Sequence, residues 1–164
     1  MRSGSCIGIL TLLGAVLFTA LGHAESPEEW IRLGTRLHGG FVALVPVGIR
    51  IGLDALERLK AAPGGVSVTF LTGEKAPCPC IADGVMLATR ASPGQGTLQV
   101  AQSKAPAGLL AVVLIRDRKT GAGLRYRVSE GWAARIAEWN RNPDPLERYR
   151  AAMAAVGLFE VSEE

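Results

Sequence analysis

GLLAVVLIRDRKTGAGLRYRV, residues 108–128, decides the fold class. Gly108 to Arg116 is one continuous apolar run, rich in β-branched residues, as a strand buried on both faces requires. Asp117-Arg118-Lys119-Thr120-Gly121 is a turn cluster, and Leu124 to Val128 resumes a β pattern at once. Two β runs joined by so short a turn predict an antiparallel hairpin.

Working outward, Thr97 to Ala101 and Val66 to Leu71 read as further strands, the latter alternating after the Pro63-Gly64-Gly65 turn. Helical patterns flank them. Ser26-Pro27-Glu28-Glu29 is a helix start, with Ser as cap, Pro at the first position and Glu in the first turn. Trp30, Leu33 and Leu37 follow at helical spacing, and His38-Gly39-Gly40 ends the helix. A second helix is expected from about Leu44 to Ala62, with Val45, Ile49, Leu53, Leu56 and Leu59 as its apolar stripe. Gly48, Gly52 and Ala55 form a small-residue groove beside that stripe. Each interior glycine costs a helix about 1 kcal/mol relative to Ala, so this groove predicts a close approach by a sheet, a helix or a ligand. Cys80 to Thr89 is a third helix, and Glu130 to Trp139 and Pro145 to Val156 are two more. Helices at both ends of consecutive hairpin strands predict an α+β domain, with helices packed on a mixed or antiparallel sheet.

The first 24 residues stand apart. Arg2 precedes a nearly unbroken apolar run, Ile7 to Leu21, then Gly22-His23-Ala24 and the polar Glu25-Ser26-Pro27. This is the pattern of a cleavable signal peptide, Met1 to Ala24, and predicts an exported protein, periplasmic or secreted. The run is shorter than a membrane span needs, so no span is expected in the mature protein. Residues 25–164 are then one domain. Removing Arg2 from 18 basic residues leaves 17 against 15 acidic, a net charge of +2. That balance offers no electrostatic footprint for nucleic acid. No Gly-x-Ser-x-Gly elbow, Walker loop, Rossmann fingerprint or zincin motif occurs, so no catalytic constellation is legible.

Four residues could carry chemistry. His38, the sole mature histidine, stands at a glycine-rich helix break; it is either a metal ligand or a cap at the end of its helix. Cys78-Pro79-Cys80 could supply two thiolates to one metal, act as a redox pair or remain inert, and Cys-x-Cys geometry is poor for a disulfide. Asp83 lies one helical turn after Cys80. It could face the same point or merely complement the helix dipole. Ser92-Pro93-Gly94-Gln95-Gly96 is a tight loop whose N–H groups could cradle an anion or simply form a turn.

Two blocks of this pattern have a family counterpart. His38-Gly39-Gly40-Phe41-Val42-Ala43-Leu44, followed by Gly48-Ile49-Arg50-Ile51-Gly52, resembles a His-Gly-His-x-Cys-Pro-Gly motif and its Gly-x-Arg-x-Gly continuation. Cys80-Ile81-Ala82-Asp83-Gly84, followed by Thr89 to Leu98, resembles a Cys-x-x-Asp block and a Thr-Gly-Cys-Thr-x-Gly-x-Gly-Asn-Leu block. Both blocks are those of the family named for the small E-type subunit of formylmethanofuran dehydrogenase, and the resemblance spans about Trp30 to Val128. It implies an α+β domain, a homodimer and a metal site, usually zinc. It departs at Gly40, Val42 and Ala91, where the family has His, Cys and Cys. His38, Cys80 and Asp83 remain as inherited ligands, with Cys78 added.

Two functions follow. One is an exported metal-binding protein holding zinc, copper or haem iron on His38, Cys78, Cys80 and Asp83. The other is a degenerate module for a small-molecule ligand or a partner, metal-free, with a redox-active Cys-Pro-Cys. In that second reading Gly48, Gly52, Gly94 and Gly96 would border the bound molecule.

Overall fold

A computed structural model describes residues 25–164; the expected signal peptide lies outside the described residues. The chain is an α+β fold, as expected. Five helices, α1 (Pro27–His38), α2 (Leu44–Leu59), α3 (Cys80–Thr89), α4 (Ala133–Arg141) and α5 (Pro145–Ala154), accompany five strands. The strands are β1 (Val66–Thr72), β2 (Leu98–Val100), β3 (Leu109–Asp117), β4 (Gly123–Ser129) and β5 (Glu160–Glu163), in the sheet order β2-β1-β3-β4-β5. No helix among the described residues is long and apolar enough to cross a membrane.

The 108–128 stretch forms the expected hairpin, with Val113 opposite Tyr126 and Ile115 opposite Leu124. Its turn is held by Asp117, whose carboxylate accepts from the Lys119 N–H at 2.8 Å and the Thr120 hydroxyl at 2.9 Å. Those donors hold the Asp117 carboxyl below the usual carboxylate range. The sheet is mixed because β2 pairs with β1 in parallel, Val68 opposite Leu98. β1 instead pairs antiparallel with β3, Val68 opposite Ile115. β5 is an addition to the expected set. Four residues, Glu-Val-Ser-Glu, carry little β pattern of their own and become a strand by pairing with β4, Tyr126 opposite Val161.

The core lies between the helices and one sheet face. Val66, Val68, Phe70, Val113, Ile115, Tyr126 and Val128 point into it, while Arg116 and Arg125 are exposed on the other face. α2 is buried nearly all round, as a central helix must be. Val47, Ile51 and Ala55 pack into the sheet-side core. Val45 and Ile49 join Trp30, Phe41 and Ala88 in a second cluster beneath α1. The α1 stripe ends sooner than expected. Trp30 is buried but Leu37 is exposed, because Phe41 folds back onto Gly34 and takes that surface.

The groove beside Gly48 and Gly52 is filled by α3. A Cβ at Gly48 would stand 2.0 Å from the Ile81 carbonyl oxygen, and one at Gly84 would stand 2.0 Å from the Val45 carbonyl oxygen. A Cβ at Gly52 would meet the Ala88 Cβ at 2.6 Å. The glycines therefore let two helix backbones touch, and a ligand-binding role for Gly48 and Gly52 is corrected. Arg50, between them, donates to the carbonyls of Ala152 at 2.8 Å and Ala155 at 2.6 Å and stacks over Phe159. It ties α2 to the end of α5.

Candidate functional site

His38 is the last residue of α1. Ser26 Oγ caps the other end, accepting from the Glu29 N–H, and Gly39, at φ +86°, ends the helix in a left-handed turn. That turn sets the imidazole beside the first turn of α3. His38 Nδ1–H donates to Asp83 Oδ2 at 2.6 Å, which leaves Nε2 as the free ring nitrogen. Neither side chain is fully covered: His38 is 23% and Asp83 33% exposed.

Cys80 opens α3 behind Pro79, which offers no side chain to cap the helix. Cys78 and Cys80 are joined in a disulfide, with 5.3 Å between their Cα atoms. The two cysteines are thus paired even though Cys-x-Cys geometry is poor for a disulfide. The Cα separation falls inside the ordinary range of about 4.4–6.8 Å. The chain bends at Pro79, φ −78° and ψ 25°, as it enters the helix, and that bend draws the two cysteines together. Cys80 is buried, whereas Cys78 is half-buried.

His38, Cys78 and Cys80 share the wall of one cavity of about 500 Å³. Its remaining wall is mainly apolar: Val42 just before α2, Leu44 at its start, Leu110 on β3, and Ile136 on α4. Asn140, also on α4, adds an amide at this wall, and its Oδ1 accepts from the Ala43 N–H at 3.0 Å. A second hollow of about 580 Å³ lies between α4 and α5 beside Trp132 and Trp139, but it holds none of the residues singled out for chemistry.

The four residues singled out for metal binding are therefore neighbours. Asp83 reaches the cavity through His38, and the other three line it. Their donor set does not fit zinc, copper or haem iron in this disulfide form. Sulfurs bonded to each other are not thiolate ligands, and among the described residues no three His, Cys, Asp or Glu side chains are grouped to hold a metal ion. Gly94 and Gly96 do not line the cavity. Their loop is closed on itself: Ser92 Oγ accepts from the Gln95 N–H, and the Ser92 carbonyl accepts from the N–H groups of Thr97 and Leu98. These are turn glycines, and their assignment to a bound molecule is corrected.

The apolar half of the wall escaped the sequence reading. Leu110 reads as an ordinary strand residue and Ile136 as an ordinary helix stripe. The usable signal was the apolar run Phe41 to Leu44 directly after the helix break at His38, which ties apolar surface to the imidazole.

A family model described as "FmdE, Molybdenum formylmethanofuran dehydrogenase operon" matches residues 37–159. The match begins one residue before His38 and contains both motif blocks. It extends past Val128 to take in α4, α5 and thus the whole cavity wall. No curated protein is matched by the chain.

Proposed function

The chain belongs to the FmdE family, and we propose that it is an exported binding module whose cavity takes a small, mainly apolar molecule beside a redox-active Cys78-Pro79-Cys80. The cavity carries this reading. Its volume, about 500 Å³, is that of a small-ligand pocket, and an apolar wall with a few polar groups is what such a pocket needs. Val42, Leu44, Leu110 and Ile136 would supply apolar contact, and His38 and Asn140 orientation. The pattern of Met1–Ala24 supports export, and a disulfide is the form that persists outside the cytoplasm.

Fluorescence titration with an environment-sensitive apolar dye tests the reading. One saturable site is expected, lost in Ala137→Trp, which fills the cavity from α4. Equal binding by both proteins, each shown folded by circular dichroism, refutes it.

The His38–Asp83 pair favours a second reading for the dithiol form. Metal-bound histidines are typically oriented by a carboxylate on the far ring nitrogen, and here Asp83 holds Nδ1 of a histidine that lines the same cavity as the two cysteines. Once the disulfide is reduced, His38, Cys78 and Cys80 would be the residues to hold zinc or copper. Zinc titration by calorimetry, with and without reductant, decides it. Stoichiometric binding only in the reduced protein, lost in His38→Ala, supports this reading; no binding in either state rejects it.

A further inference from the structure

We infer that Cys78–Cys80 is a thiol–disulfide exchange site for small thiols with an uncharged, apolar body, in which Cys78 receives the attack and Cys80 is the leaving sulfur. The inference rests on the pocket reading above and deepens it by naming a substrate class.

Both cysteines line the cavity, so a molecule held there lies against them. The two sulfurs are also unequal: Cys78 is half-buried and reachable, whereas Cys80 is 3% exposed. Cys80 is the first residue of α3, where the positive end of a ten-residue helix favours sulfur leaving as thiolate. Among the lining residues other than the cysteines, His38 alone is ionisable. An anionic thiol entering this wall would lose its hydration without a charged partner, whereas an aliphatic or aromatic one would gain apolar contact.

A substrate thiolate attacks Cys78 Sγ; the S–S bond breaks, and its electron pair leaves on Cys80 Sγ. The product is a mixed disulfide on Cys78 and a thiolate on Cys80. A second substrate thiolate then attacks the substrate sulfur, releasing Cys78 as thiolate and the symmetric disulfide of the substrate. Two thiols together lose two electrons, and the protein disulfide gains them. The protons released by the substrate thiols re-protonate the two cysteines.

The test uses the mature protein in its disulfide form. Rates of reaction with benzyl mercaptan and with anionic 2-mercaptoethanesulfonate are measured by acid quench and mass spectrometry. Each is divided by the same thiol's rate with a small soluble disulfide. The normalised preference for benzyl mercaptan is expected to reach about tenfold, the worth of burying roughly two methylene groups, and to vanish in Ala137→Trp. In addition, acid quench early in the reaction of the wild-type protein with benzyl mercaptan, followed by peptide mapping, should find the mixed disulfide on Cys78 about tenfold more often than on Cys80. Absence of the preference, or a mixed disulfide found mainly on Cys80, overturns the inference. Dye binding by the Cys78→Ser/Cys80→Ser protein separates the two claims. If the dye binds and the preference is absent, exchange is wrong and the pocket stands. If wild type and double variant both fail to bind dye, the pocket reading has failed as well.

Discussion

Replacing Gly48 by Ala should destabilise the fold although Ala is the better helix former. The new Cβ would lie 2.0 Å from the Ile81 carbonyl oxygen and 2.9 Å from the Gly84 Cα. Ordinary C···O contacts begin near 3.3 Å, so α2 and α3 must part by roughly 1.3 Å. The obstacle is backbone on a buried helix and cannot rotate away. A gap of 0.5–1 Å already forfeits about a quarter to a half of each dispersion contact along the seam. Overpacking of this kind costs about 1–3 kcal/mol, with backbone obstacles at the upper end. The helix-propensity gain of about 1 kcal/mol offsets part of it. The net loss is expected at about 2 kcal/mol, a fall in Tm of roughly 4–8 °C. Urea unfolding followed by circular dichroism measures it, with Gly94→Ala as control. Gly94 has open space around it, and its change should stay within about 0.5 kcal/mol. A Gly48→Ala protein as stable as wild type would refute the helix-contact account of this glycine.

The hairpin turn should show in acid. The Asp117 carboxyl is held low in the fold, so its contribution is present above the ordinary carboxylate pKa of about 3.9 and is lost as pH falls through the folded value. Asp117→Asn should flatten the acid limb of a stability–pH curve below about pH 4, seen by thermal melts across that range. Tyr126 should show in alkali. Its buried hydroxyl donates to Asp54 Oδ2 at 2.7 Å, and burial pushes the phenol far above its ordinary value. The stability it supplies is full below about pH 10 and lost as pH rises beyond, where the unfolded phenol ionises. Tyr126→Phe should cost about 1 kcal/mol at neutral pH and blunt that alkaline loss. Finally, Asn140→Ala removes the acceptor for the Ala43 N–H. Hydrogen exchange at that amide should accelerate, at a cost of about 1–2 kcal/mol; unchanged exchange would show that α4 is held to α2 by other contacts.

The sequence by itself determined the local elements of this protein. Ser26, Pro27 and Glu29 mark the start of α1, Gly39 its end, and residues 108–128 their hairpin, because caps, turns and side-chain periods act over a few neighbouring residues. It also marked His38, Cys78, Cys80 and Asp83, since their chemistry is carried by residue type. Only the tertiary structure decided what these pieces do together. The Gly48–Gly52 groove announced a close approach without naming the partner, which is α3, some 30 residues further along. The β1–β2 pair is parallel and β5 exists at all only through pairings that no local pattern encodes. The cavity wall joins His38 to Leu110 and Asn140, positions whose contact depends on how α1, α2, α3, β3 and α4 pack. Its apolar residues look, one by one, like any core residue. Whether such a residue fills a core or borders a cavity depends on what packs opposite it, and that is set by packing between distant elements rather than by the residue itself.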